Sequence, residues 1–478
     1  LEGSEEYDLI ILGWGAAAFS SAIKASELSG GEMKIAMIGT GPLGGTCVNS
    51  GCVPSKYLLE ASHRVFKTEH PKIAGIRPTK VEYSFKEIMD GLKRYVEQAR
   101  EKKYELVIKG YENVTVIEGL GRFLDRKTVG VKNSNAEKEK ILSAKKIIIS
   151  TGSSPYVPEI EGLRETQFFT SDTIWNLDYL PDSFIIIGGG AIGLELGQAL
   201  LHLGSKVAVI EAMPSLLPMT EPEISYMLKD ILSREGMEFH TKARIARIGR
   251  TSKGKFADIL THDGKKRVEA EEIIVASGRR PNTGYLELKN AGVKTDQVGG
   301  IVTTPKMETS SPNIYAAGDC VSKKMFLETL AAREGVIAVS NIFGEPLQID
   351  YNSTAWAVFT NPQVAGVGMT EIEFSRTNGS CSCRTFYLKD LTMASIIGET
   401  DGLIKITVDP KNNRVVGIHI LSPNATDIIT EGSYAVKYGF TIGDIISSSH
   451  IFPSLSEGIK LAAQSFLRDI SKMSCCVE

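Results

Sequence analysis

No stretch of this 478-residue chain reaches about 18 uninterrupted apolar residues, so no membrane-spanning helix is expected. The first seven residues are acidic and lead straight into an apolar strand, unlike a secretory leader. The expected compartment is therefore the cytoplasm. Excess charge of one sign is also missing. Lys and Arg number 54 against 57 Asp and Glu, for a net charge of -3. A general polyanion binder needs a basic stripe, so neither nucleic acid nor a membrane surface is an expected partner. Cysteine is scarce, and its count of seven is odd, which argues against a fully paired secreted framework. Low-complexity runs are absent: the 46 glycines fall in short clusters, the pattern of phosphate loops and tight strand-to-helix turns. At roughly 150 residues per domain, about three domains are expected.

Residues 7–12 read YDLIIL, a short apolar run without helical period. Gly13-x-Gly15-x-x-Ala18 follows, then an alanine-rich segment to Leu28, then KIAMI at 34–38. This is the strand–helix–strand unit of a parallel sheet. Gly13 makes the tight turn, Gly15 admits a pyrophosphate to the backbone, and Ala18 lets helix pack on strand. The helix N-terminus then offers its positive end to the phosphates. The alternative is a purely structural glycine turn. An acidic residue commonly ends the second strand and binds the ribose, but Gly39 stands there. The theme recurs from Phe184, with Gly188, Gly190 and Gly193 and a second strand ending at Glu211. A carboxylate there repels a 2′-phosphate and favours NADH over NADPH, unless Glu211 is only a strand-end surface charge. A helix is expected over 85–108, and strands over 114–128, 141–150, 271–277 and 313–317. Past Pro346 the alternating segments TAWAVF, LIKITV and RVVGIHIL suggest an antiparallel sheet, with helices over 425–438 and 455–470. The fold class is α/β, with two Rossmann-like dinucleotide-binding domains and a C-terminal α+β domain.

The segment GGTCVNSGCVPSK places four residues between Cys47 and Cys52. Pro54 suits the first turn of a helix, which would put Cys52 at its N-terminus, where the dipole favours a thiolate. Two such thiols make a redox-active pair; a half-filled metal site or a plain buried pair are the alternatives. This segment resembles the active site of the pyridine nucleotide–disulfide oxidoreductase family. STGSSP at 150–155, ASGRRPN at 276–282 and SSPNIYAAGDC at 310–320 resemble further family segments, in the same order, so the likeness spans essentially the whole chain. The resemblance implies an FAD-binding domain in two parts, 1–150 and 276–345. An NAD(P)-binding domain lies between them at 151–275, and 346–478 form a dimerisation domain. It implies that Gly45, Thr46, Gly152 and Asp319 help hold FAD and that Gly278 belongs to the nicotinamide side. Cys52 becomes the flavin-facing charge-transfer thiolate and Cys47 the interchange thiol. Lys56 and Glu195 become a pair beside the flavin, where the lysine stabilises the anionic reduced ring; an ordinary surface ion pair is the alternative.

Two features discriminate within the family. The tail LAAQSFLRDISKMSCCVE resembles that of the mercuric reductase branch, which ends in adjacent cysteines. Cys475 and Cys476 would close a strained ring if oxidised, and are better suited to capture one soft cation. An incidental pair on a mobile end is the alternative. In the second feature, HIFPSLSEG at 450–458, disulfide reductases of the family carry a histidine directly before the proline, oriented by a downstream glutamate. That histidine protonates a leaving thiolate. Here the position is Phe452, with Glu457 retained. Mercuric reductases resemble this chain in that phenylalanine, although they commonly have tyrosine where Ser454 stands. His450 lies two residues earlier and is read as structural. The resemblance thus implies FAD-dependent reduction of mercury(II) by NADH or NADPH. The metal would pass from Cys475 and Cys476 of one subunit of a homodimer to Cys47 and Cys52 of the other. A dihydrolipoamide dehydrogenase-like reductase and a metal-sequestering flavoprotein without turnover are the competing readings. Cys320 is expected in the core, and Cys381 and Cys383, within NGSCSC, in an exposed loop.

Overall fold

The computed structural model describes residues 5–133, 138–323, 325–469 and 472. The chain divides into two units. The first comprises Leu1–Ser55, Met89–Tyr156 and Gly278–Asp350; the second comprises Lys56–Ile88, Val157–Ser277 and Tyr351–Glu478.

In the first unit, strand Glu5–Leu12 runs parallel between Ile35–Gly39 and Lys140–Ile149. Val114–Glu118 adds in parallel outside Ile35–Gly39, and Ile314–Ala316 pairs with Lys140–Ile149. Leu9, Ile10 and Ile11 have no exposed surface, which accounts for an apolar run without alternation: both faces of a parallel sheet are covered. The single strand expected over 114–128 is instead two, Val114–Glu118 and Leu120–Phe123. Gly119 separates them at φ +156°, with its α-carbon so near Val131 and the Lys132 carbonyl that a side chain would collide. The chain then returns as the antiparallel strand Thr128–Lys132. On one face, helix Ala16–Leu28 meets helix Glu328–Ile342 at Gly335, where a β-carbon would stand 2.4 Å from the Ala17 carbonyl oxygen. Ser20 Oγ donates across the same crossing to the Ala332 carbonyl at 2.9 Å.

The second unit holds a five-stranded parallel sheet in the order Glu238–His240, Lys206–Ile210, Ser183–Ile187, Glu272–Val275, Phe169–Thr170. A three-stranded antiparallel sheet, Arg244–Thr251, Gly254–Thr261 and Gly264–Ala270, follows it in the chain. The last third forms an antiparallel sheet in the order Trp356–Val358, Gln363–Gly368, Arg414–Ser422, Leu403–Asp409, Ser382–Tyr387. Helix Ala425–Tyr438 spans the residues expected of it, whereas the final helix is shorter than expected, Glu457–Gln464. Among the described residues no helix is long and apolar enough to cross a membrane.

One buried base in this sheet carries a pH consequence. His419 lies in the core near Lys405, and burial first, then that cation, lower its pKa to about 3. Glu221 is within 3.8 Å of the ring but is engaged by Lys405 Nζ at 3.1 Å. The folded protein therefore holds His419 neutral, while the unfolded chain takes up a proton near the ordinary value of 6.5. Its contribution to stability is complete above that value and declines as pH falls toward 3. Melting temperatures are expected to drop between pH 7.5 and 5, with a shallower acid limb in His419→Asn. Identical acid limbs in the two proteins would remove His419 from the account.

Candidate active site

The site in the first unit is assembled on the glycine turn after Glu5–Leu12. Gly13 has φ +126°, and a β-carbon there would meet the Ser150 carbonyl oxygen at 2.1 Å. Gly15 then starts helix Ala16–Leu28, whose first turn has no side-chain cap and no acidic residue. Its amide donors are left for a ligand. Gly39, where an acid was expected, ends its strand against the Trp14 indole. A β-carbon there would be 2.5 Å from the ring, so the tryptophan of the loop excludes any side chain, carboxylate included.

The cysteine segment docks on this turn. Gly45 has φ +68° and its β-carbon position is 2.6 Å from the Gly15 α-carbon. Only glycine permits that approach. Cys47 lies in the short helix Gly45–Asn49, and Cys52 is the first residue of helix Cys52–Glu69. Between them a β-carbon on Gly51 would stand 3.3 Å from the Cys47 α-carbon, so the two helices abut closely and the thiols come into hydrogen-bonding contact. Asn49 Nδ2 fixes the first helix by donating to the Leu43 and Gly45 carbonyls at 2.9 and 2.8 Å.

The structure adds two groups that sequence reading missed. Cys47 Sγ donates to Glu328 Oε2 at 2.5 Å, and Tyr104 OH donates to Glu328 Oε1 at 2.9 Å. Glu328 opens its helix 281 residues along the chain from Cys47, and no local pattern marks it as a partner of a thiol. Tyr104 lies in a π-helical turn, Glu101–Glu105, with its ring edge-on to Phe19 at 4.9 Å and packed over Gly44. Such turns recur at functional sites. The hydrogen bond shared with Cys52, then burial, then Glu328 push the Cys47 thiol far up; burial and Glu328 do the same to Tyr104. Cys47 thus rests as a thiol whose proton points at a carboxylate. Donor atoms of Cys47, Cys52 and Glu328 all lie within 4.8 Å of one another, a set able to hold a metal ion. Elsewhere in this unit, Asp319 accepts from Ser153 Oγ at 2.8 Å, and Ser153 accepts from Arg279 Nε at 2.8 Å. Those residues sit on or beside the paired strands Ser153–Pro155 and Arg279–Pro281, flanked by Gly152 and Gly278, both at positive φ. Thr46 is exposed, and Cys320 has no exposed surface.

In the second unit Lys56 Nζ donates to Glu195 Oε2 at 2.8 Å. Glu195 is buried, and its other oxygen accepts the Phe359 amide at 2.8 Å. The ammonium also sits 4.4 Å from the centre of the Phe359 ring. Held on three sides, this is not an ordinary surface ion pair. The second glycine loop repeats the first: Gly188 has φ +115°, and Gly193 packs against the Gly188 carbonyl. Gly190 starts the uncapped helix Ala191–His202, and its missing β-carbon faces open space. Glu211 accepts the Gly189 and Met213 amides at 2.7 and 2.6 Å, so it braces the loop. Near the end of the chain, His450 pairs with Glu431 at 2.9 Å, which first among causes raises its pKa. Glu457 is buried, burial raises its pKa, and its Oε2 has no hydrogen-bond partner. Both His450 nitrogens are engaged by other groups, Nδ1 by the Ser448 carbonyl at 3.1 Å and Nε2 by Glu431. Phe452 is exposed, and Ser454 Oγ accepts the Glu457 amide. Cys383 lies in edge strand Ser382–Tyr387 with Cys381 directly before it, and both are half-buried, which corrects the expected exposed loop. Cys475 and Cys476 lie outside the described residues.

Residues 7–335 match the family model for pyridine nucleotide-disulphide oxidoreductases, and residues 354–463 match the dimerisation domain of that family. The chain belongs to the pyridine nucleotide-disulphide oxidoreductase family. Within the family, it is 36% identical over 476 residues to a mercuric reductase of Lysinibacillus sphaericus, covering all of this chain and 85% of that one. A mercuric reductase of Streptomyces lividans is 33% identical over 477 residues, spanning 99% of its own length. Among solved structures, a Cu(II) complex of the HOCl-induced flavoprotein disulfide reductase RclA from Escherichia coli superposes with a TM-score of 0.85. LpdA from Mycobacterium tuberculosis gives 0.86. Each covers 97% of this chain at 24% identity and shares its fold.

Enzymes of this oxidoreductase family use FAD and NAD(P)H, and the residues present fit both. Two glycine turns each lead into an uncapped helix free of acidic first-turn residues, as a pyrophosphate requires. The family's dimerisation domain is present in the antiparallel sheet and its helices.

Proposed function

We propose that the protein reduces mercury(II) to elemental mercury with electrons from NAD(P)H. The observation that carries the reading is the Cys47–Cys52–Glu328 cluster, a sulfur-rich donor set on the FAD-type glycine turn. Two thiolates suit a soft cation. The chain also has Phe452 where a disulfide reductase of the family keeps its histidine, and a phenyl ring transfers no proton. Reduction of a bound metal ion needs no such acid. Likeness to curated mercuric reductases at 31–36% identity supports the same reading.

The residues divide the work as follows. Cys475 and Cys476 of one subunit of a homodimer capture the ion and pass it to Cys47 and Cys52 of the other. As sulfur replaces a hydrogen bond with a metal bond, the Cys47 proton moves to Glu328, which Tyr104 steadies from its other oxygen. Gly13, Gly15, Ala18, Gly45, Thr46, Gly152 and Asp319 hold FAD, with Lys56 and Glu195 beside its ring; Gly188, Gly190, Gly193, Glu211 and Gly278 hold the nicotinamide nucleotide. FAD bound there would supply two-electron chemistry, relaying reducing equivalents from NAD(P)H to mercury(II). The metal leaves as the neutral atom, and the thiols recover their protons. Glu211 favours NADH, and the cytoplasm supplies the reductant.

The test is mercury-dependent NAD(P)H oxidation with the ion presented as a thiol complex. The Cys475→Ala/Cys476→Ala protein is expected to lose this turnover while NAD(P)H still bleaches its flavin. Brisk lipoamide-dependent NADH oxidation without any mercury-dependent rate would establish the disulfide reductase instead. Tight mercury binding with no volatile metal would establish sequestration.

A further inference from the structure

A second cysteine pair remains without a role in that reaction. Strand Ser382–Tyr387 is the edge of the antiparallel sheet and pairs Cys383 opposite Thr407. Cys381 precedes the strand, and residues two apart on extended backbone project to the same side. The C-x-C spacing accordingly brings the two sulfurs into contact. The preceding helix, Glu371–Asn378, starts on a capping box made by Thr370 and Glu373, and this sets the position of Glu371. The Glu371 carboxylate and both sulfurs lie within 4.8 Å of one another. Glu371 Oε2 is also held by Lys405 Nζ at 2.7 Å, which restrains the carboxylate. Ser375 Oγ is 3.8 Å from Cys381 Sγ, and the fully buried Thr407 hydroxyl is 3.8 Å from Cys383 Sγ.

Two sulfurs and one carboxylate, half-buried and drawn from two elements, are more than an incidental pair. The set is too soft for magnesium or calcium, which take oxygen ligands, and suits cations of the zinc, cadmium and mercury group.

We propose that Cys381, Cys383 and Glu371 form a second site for one soft divalent cation, built from residues distinct from the Cys47–Cys52 pair. It does not depend on the reaction proposed above. Binding releases one proton from each thiol and involves no change of oxidation state.

Cadmium is the probe, since it binds thiolates and is not reduced by the enzyme's cofactors. The full-length, FAD-loaded protein carrying C47S, C52S, C475S and C476S is titrated anaerobically against a competing chromophoric chelator. One equivalent is expected, with sulfur-to-cadmium charge-transfer absorption. Adding C381S and C383S is expected to abolish it, and E371Q to weaken it about tenfold, the usual worth of a supporting ligand. Flavin absorbance and melting temperature verify the fold of each variant. If the fourfold background fails to retain FAD, the same readout is the loss of one cadmium equivalent on adding C381S and C383S alone. The proposal is overturned if no equivalent binds, or if the equivalent survives C381S and C383S. It is equally overturned if Cys381 and Cys383 are isolated as a disulfide that takes no cadmium after reduction.

Discussion

Cys47→Ser is expected to abolish mercury-dependent NAD(P)H oxidation, by about a thousandfold or more, a loss of ~4 kcal/mol in transition-state stabilisation. In the function proposed above the sulfur binds the metal, and in the structure it donates to Glu328. Serine restores the hydrogen bond but not the affinity for a soft cation. If this thiol is the interchange thiol that the family resemblance implies, the stopped-flow rate of flavin reduction by NAD(P)H should be nearly unchanged. Glu328→Gln separates the two roles. It keeps the shape of the carboxylate yet cannot take up the Cys47 proton, so the turnover rate should fall and its dependence on pH should shift upward, with the thiols still titratable. Mercury turnover at the wild-type rate in Cys47→Ser would end the relay model. A wild-type pH profile in Glu328→Gln would leave the glutamate only a structural role.

Gly45→Val is expected to give protein with no bound flavin. Gly45 combines a positive φ with an α-carbon contact to Gly15, and a β-carbon would have to displace the glycine turn itself. A branched side chain in that backbone region is strained even with space available. The contrast is Gly190→Ala, where φ is −83° and nothing lies within 4 Å of the new methyl. That protein should fold and retain FAD, with the methyl intruding only on the space proposed for the nicotinamide nucleotide. Its KM for NAD(P)H should rise. The ratio of flavin to protein absorbance checks the first variant, and steady-state kinetics the second. Full flavin occupancy in Gly45→Val would mean the turn can yield, contrary to the packing described.

The parallel sheets were legible because burial on both faces writes itself as continuous apolar runs, such as YDLIIL and FIII. The two glycine turns were legible for a steric reason: Gly13 and Gly188 both face a carbonyl oxygen where no β-carbon fits. The Cys47–Cys52 spacing was equally informative, since both ends of the motif are local in sequence. What stayed hidden depends on approach from elsewhere in the chain. Glu328 and Tyr104 reach Cys47 through helix packing, and neither carries a local signature. Gly119 reads as an ordinary strand residue until the returning strand crowds it. The Ser, Asn and Gly around Cys383 favour a loop, yet pairing with Leu403–Asp409 overrides that local preference. The missing acid at Gly39 also had a non-local cause, the indole of Trp14.

That indole has a use in the laboratory. Trp14 is one of only three tryptophans, and it lies within the first glycine turn itself. One of the three intrinsic tryptophan emitters is thus placed at the first glycine turn, the neighbourhood proposed to bind FAD. Release or reloading of the flavin can be followed as a change in that emission, in the native protein and without an attached dye.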